Sequence, residues 1–133
     1  LLLCVAGGER HPVVVGEVDL ALLLQAKAAI GAGITTLLAH AGIAASEVGT
    51  VHLAGGFGMH LDVRHAIQIG LLPGFRPEQI EVVGNTSLAG AMLALLDRTS
   101  LEEMETIREQ TEVLELNLAP GFEDCYIDHL ALP

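Results

Sequence analysis

Two glycine-containing segments carry the clearest chemical potential in this sequence. One is Leu53–Gly58, LAGGFG, and the other is Val83–Ala91, VGNTSLAGA. In each, a short apolar run ends in small residues and turns toward a helical pattern. A glycine has no Cβ, so a base, ribose or phosphate can lie directly against backbone N–H groups. Gly55, Gly56, Phe57 and Gly58 are therefore candidate ligand-binding residues. Asn85, Thr86 and Ser87 join them, because they place hydrogen-bonding side chains at a helix start, where unpaired amides favour anions. Each loop by itself could equally be a tight turn, and neither has the spacing of a Walker loop or a dinucleotide fingerprint. The pair is more informative than either loop, since both fall at the carboxyl ends of strands, where open α/β sheets bind ligands.

Lys27 is the only lysine, set in a helix of Leu, Ala, Gly and Ile. Its side chain has two readings: a snorkelling group on the solvent side, or a cation placed over a nucleotide. The six histidines share no HxH or HExxH spacing. His60 and His65 flank the LAGGFG loop with Asp62 between them, but Asp62 reads as a helix cap rather than a general base, and no metal site is expected. No serine elbow or catalytic cysteine context is present, so the catalytic residue is left unassigned.

The elements that must position these residues alternate. Leu1–Ala6 is a short apolar run closed by Gly7-Gly8, and 11–16 (HPVVVG) suggests a second extended piece. Asp19 as N-cap and Gly42 past the end bracket a helix over 20–41. Its apolar positions Leu23, Ala26, Ile30, Ile34, Leu37 and Leu38 recur at helical steps. Gly31 and Gly33 weaken such a helix and imply close approach of another backbone or a ligand. Val48–Ala54 reads as a strand, 63–69 as a short helix capped by Asp62, and Pro77 opens a single turn. Ile80–Val83 is a strand and 88–96 a helix. Ser100 and Glu103 match a capping box, 112–118 (EVLELNL) alternates like a half-buried strand, and 120–130 reads as a last helix. Strands alternating with helices predict an α/β fold with a mostly parallel sheet flanked by helices.

Composition narrows the partners. The chain has 133 residues, 6 basic against 17 acidic, for a net charge of −11. Such acidity counts against nucleic acid and anionic membrane surfaces, both of which recruit Lys and Arg. No uninterrupted apolar run approaches the about 18–20 residues of a membrane span. Two distant cysteines and no basic leader suit a reduced cytoplasmic chain. Ten of the seventeen acids fall after Leu96 and read as a solvated face.

Three runs carry a family resemblance: LLLQAKAAIGAGITTLL (22–38), VHLAGGFGMHLDVRHAIQIGLLP (51–73) and IEVVGNTSLAGAMLALL (80–96). From about Val18 onward the chain resembles the C-terminal part of the ATP-dependent reductive activators of corrinoid proteins. The resemblance implies a ribonuclease H-like lobe of an actin-like ATPase domain, in the superfamily of acetate and sugar kinases, chaperones and actin. It implies that 1–133 is one lobe of a longer chain, the side that cradles adenosine. Gly55–Gly58 match its adenosine loop, Val83–Ala91 its later helix start, and Lys27 the comparable helix lysine. The implied cofactors are ATP with magnesium, and a 2Fe–2S cluster in an upstream domain. The implied partners are a corrinoid protein of a methyltransferase system and the chain's own N-terminal lobe and ferredoxin domain. A lobe separated from its partner lobe exposes apolar surface, so self-association as a homodimer is also expected. The superfamily's phosphate loops and catalytic acid do not occur in these residues. Two alternatives remain open: a non-catalytic docking module with a vestigial loop, and an activator of 2-hydroxyacyl-CoA dehydratases.

Overall fold

The structure is a computed structural model and describes residues 3–5 and 13–133. The expected turn at Gly7-Gly8, the start at Leu1-Leu2 and His11-Pro12 lie outside the described residues. Strands β1 (Leu3–Val5) and β2 (Val13–Val15) pair antiparallel, with Cys4 opposite Val14. This pair departs from the parallel expectation because residues 6–12 are too few for a crossover, which needs about a dozen.

Helix α1 (Glu17–Ala41) starts three residues before the expected 20–41. Its N-cap is Gly16, and Asp19 is not the cap but reaches back to accept the Gly16 N–H at 2.8 Å. Gly42, in the left-handed region at φ 68°, ends it as expected. The Gly42 and Ile43 N–H groups then close onto the Ala39 and Leu38 carbonyls. By length and hydropathy alone α1 is long and apolar enough to cross a membrane, although no unbroken apolar run is.

The buried side of α1 is not the predicted stripe. Leu23, Ile30 and Leu37 are about half exposed, whereas Lys27, Ala28, Gly31 and Ala32 are buried. The physical reason is close approach. Helix α5 (Phe122–Asp128) and the chain end dock on the small-residue side. A Cβ on Gly31 would lie 2.9 Å from His129 Nδ1 and 3.0 Å from the Gly70 carbonyl oxygen. Ile34 and Leu38 of the predicted stripe do reach the core, which centres on Ala66, Leu72 and Phe75.

β3 (Val51–Ala54) and β4 (Ile80–Gly84) form a parallel pair joined through α2 (Val63–Gln68). Val51 and Ile80 turn inward onto that core. Gln79, 4% exposed, ties the crossover down: its Nε2 donates to the Ala45 and Val48 carbonyls, and its Oε1 accepts the Arg76 N–H at 3.0 Å. Helices α3 (Thr86–Leu96) and α4 (Thr99–Gln110) follow. The expected Ser100–Glu103 capping box does not form, because the start of α4 falls earlier. Asp97 instead accepts the Thr99 N–H at 2.9 Å, and Ser100 donates to the Asp97 carbonyl at 2.7 Å.

The strand expected over 112–118 is also absent: Leu116–Leu118 is a single 3-10 turn and the residues before it pair with no strand. An alternating segment needs a ladder partner to become a strand. Here Leu114 and Leu116 instead line a hollow on α1 with Ile30, Ile34 and Leu37, and the Leu116 side chain approaches Gly33.

Two glycine substitutions in α1 should diverge. Alanine favours a helix over glycine by about 1 kcal/mol, yet Gly31→Ala meets backbone and should lower stability by about 1–3 kcal/mol. Gly33→Ala meets only the flexible Leu116 side chain at 3.3 Å and should be neutral or mildly stabilising. Urea midpoints of the two variants check the opposite signs.

Candidate functional site

β3 and β4 run side by side in the same direction, so the two glycine loops leave the sheet at one edge. The register pairs Val51 with Ile80 and Leu53 with Val82, then shifts so that Ala54 faces Gly84. Beyond it the Gly55 N–H donates to the Gly84 carbonyl at 2.7 Å. Gly55 (φ 99°) and Gly84 (φ 76°) both occupy backbone that side chains rarely adopt. Each strand can therefore turn sharply away at the same level.

The space over the first loop is open. Nothing lies within 4 Å of a Cβ built on Gly55 or Gly56. Gly58 is the opposite case. It is buried, and a Cβ there would touch Leu53 Cγ at 3.0 Å. The loop is thus pressed onto its own strand at Gly58 and left bare at Gly55-Gly56, with Phe57 exposed between them.

The second loop opens α3. Asn85 is the N-cap, and its Oδ1 accepts the Leu88 N–H at 3.0 Å. That cap occupies the third amide of the first turn and leaves those of Thr86 and Ser87 without an intrahelical partner. Free amides at a helix start suit an oxyanion. The Thr86 and Ser87 side chains are exposed there.

Gly55, Gly56, Phe57, Gly58, Asn85, Thr86 and Ser87 are therefore brought together. Lys27 is not gathered with them. It is 1% exposed, which excludes the snorkelling reading, and its Nζ donates to the Ala131 carbonyl. The concave surface it lines is made by Gly70, Pro73, Gly74 and the chain end, with no residue of either loop. The Ala131 carbonyl accepts a hydrogen bond from the ammonium, which offsets part of the cost of burying it.

Met59 carries no signal in the sequence. It follows Phe57 on the 3-10 turn Gly58–His60, is half exposed, and its sulfur lies 4.0 Å from a Cβ built on Gly84. No spacing rule marks it; only the side-by-side strand ends bring it across. Among the described residues no three His, Cys, Asp or Glu side chains are grouped to hold a metal ion.

Residues 3–133 match the family described as the C-terminal domain of RACo, the ASKHA domain. The chain belongs to this family. The corrinoid activation enzyme RamQ of Eubacterium limosum is 32% identical over 119 residues, 90% of this chain and 20% of that protein. A solved structure of a reductive activator for corrinoid, iron–sulfur protein superposes with a TM-score of 0.84 at 38% identity, covering 92% of this chain and 19% of that one. The chain thus spans about a fifth of the length of these relatives. The fold is α/β, that of the RACo C-terminal ASKHA domain, with parallel strands flanked by helices.

Asp62, just after the first loop, caps α2 by accepting the His65 N–H at 3.0 Å. That hydrogen bond, helped by the His65 ring at 3.3 Å, holds its carboxyl below the usual carboxylate range. A depressed folded value means the cap is fully present above the usual aspartate range and is lost as pH falls through the lowered value. The His65 amide shift should report that loss in an acid titration. Asp62→Asn, which keeps an acceptor oxygen, should flatten the titration.

Proposed function

We propose that this chain is the adenosine-side lobe of the ATPase domain of a longer, ATP-dependent corrinoid activator. The observation that carries the reading is the meeting of the two strand ends. Gly55-Gly56 form a bare backbone shelf, hydrogen-bonded to Gly84, beside the unpaired amides of Thr86 and Ser87. Such a shelf fits a nucleoside, which needs close backbone approach, and the adjacent helix start fits a phosphate oxygen. A Cβ on Gly56 would fill the shelf.

In this reading ATP binding or hydrolysis in the parent drives one electron from a 2Fe–2S cluster to a Co(II) corrinoid protein of a methyltransferase system. With two cysteines in this chain, the cluster belongs to an upstream ferredoxin domain. The two loops bring no carboxylate, so magnesium and the catalytic acid belong to residues of the parent's other lobe. What this lobe contributes is differential binding: the nucleotide stabilises the arrangement in which both lobes touch it, and that arrangement changes how the corrinoid partner is held. The partners follow: the parent's own N-terminal lobe and the corrinoid protein, in the cytoplasm. The likeness to RamQ and to the solved activator supports this over the dehydratase activators, and the open shelf supports it over a vestigial loop.

The intact parent should bind ATP or ADP with magnesium saturably in calorimetry. Gly56→Val has room in the fold and should weaken that binding by about tenfold or more, which corresponds to about 1.4 kcal/mol. Undiminished affinity in that variant would remove Gly55-Gly56 from the cradle.

A further inference from the structure

We propose that Phe57 is the stacking platform for the nucleobase, a role that rests on the nucleotide reading of the two loops. The chain has three Phe and one Tyr. Phe75 is in the core at 7% exposed, and Phe122 and Tyr126 are half-buried. Phe57 alone presents its ring to solvent, at 77% exposed.

Exposure by itself says little, since many aliphatic side chains of this chain are exposed. The placement of Phe57 is what distinguishes it. On one side lies Gly56, with nothing within 4 Å of its Cβ position; on the other lies Gly58, pressed against Leu53. The turn is held on both flanks, by the Gly55–Gly84 hydrogen bond and by the His60 N–H donating to the Phe57 carbonyl at 3.1 Å. Phe57 itself sits at an unstrained φ −64°, ψ −43°. A ring on a rigid turn loses little freedom when a ligand covers it, because only two side-chain torsions remain to be fixed.

The chemistry of the ring points to a base rather than a sugar or phosphate. Phenylalanine has no hydrogen-bonding atom, and its π-face matches the π-face of any base. Met59 on the same turn is half exposed and extends the apolar floor with a polarizable sulfur. The free amides of Thr86 and Ser87 on the other loop suit an anionic part of such a ligand.

The test uses the intact parent protein and magnesium ATP. Phe57→Ala and Phe57→Leu should each raise Kd by about tenfold or more, while Phe57→Tyr, which keeps the ring, should stay within about threefold of wild type. Phe57→Trp should bind normally and show fluorescence quenched on saturation. Wild-type affinity in Phe57→Leu overturns the stacking role, as does equal loss in Phe57→Leu and Phe57→Tyr. Indole fluorescence of the Phe57→Trp variant that stays unmoved at saturation overturns it too. If Phe57→Ala fails to fold, the tyrosine and tryptophan variants decide. Absence of saturable ATP binding in the wild type overturns the nucleotide reading itself, a result distinct from retained binding that ignores residue 57.

Discussion

The hydrogen bond from the Gly55 N–H to the Gly84 carbonyl is the constraint on which the site depends. It can form only because β3 and β4 run parallel and end at the same level. Parallel strands in turn require a crossover, and α2 with the loop to β4 supplies it. That crossover buries Ala66, Leu72 and Phe75 and is tied by Gln79 to the Ala45 and Val48 carbonyls. Beyond the bond, the positive φ of both glycines turns the chains away from the sheet, one toward Phe57 and one toward Asn85. The core positions the strands, the strands align the glycines, and the glycines leave backbone bare for a ligand.

A second packing centre lies across α1. There the small residues Ala28, Gly31 and Ala32 admit the His129 side chain at the end of α5 and the Gly70 carbonyl to close approach. Lys27 sits in that seam, with its stem among packed atoms and its ammonium on the Ala131 carbonyl. The two centres share the turn at Gly70. Its carbonyl faces Gly31, and Lys27 Nζ lies 3.2 Å from its Cβ position. Gly70 closes the turn after α2, so the LAGGFG loop and the chain end are connected through one short helix.

Helix α3 stands apart from both centres. None of its residues is buried, and Leu95 and Leu96 are more than four-fifths exposed. Its contacts run to α4, where Met104 reaches toward Gly90. An apolar helix with so little packing inside the chain derives its order here mainly from the Asn85 cap and the α4 contact. RamQ and the solved activator are each about five times longer than this chain.

Much of this molecule was determined by local chemistry and could be read from the residues alone. The α/β order, the Gly42 stop, the Asp62 cap, the Pro77 turn and the placing of LAGGFG and of GNTS each at a strand end all follow from short-range rules. Caps and turns involve groups within a few residues of each other, so sequence suffices to place them. What only the tertiary structure decided is which surface each element buries. The apolar stripe of α1 lost to its glycine and alanine side because α5 approaches there, and Lys27 went inside because a carbonyl from the chain end awaited it. EVLELNL alternates like a strand but rests on α1, since among the described residues no strand lies beside it to form a ladder. Burial and pairing depend on partners far away in the chain, and periodicity records only that a residue is apolar, not what will cover it.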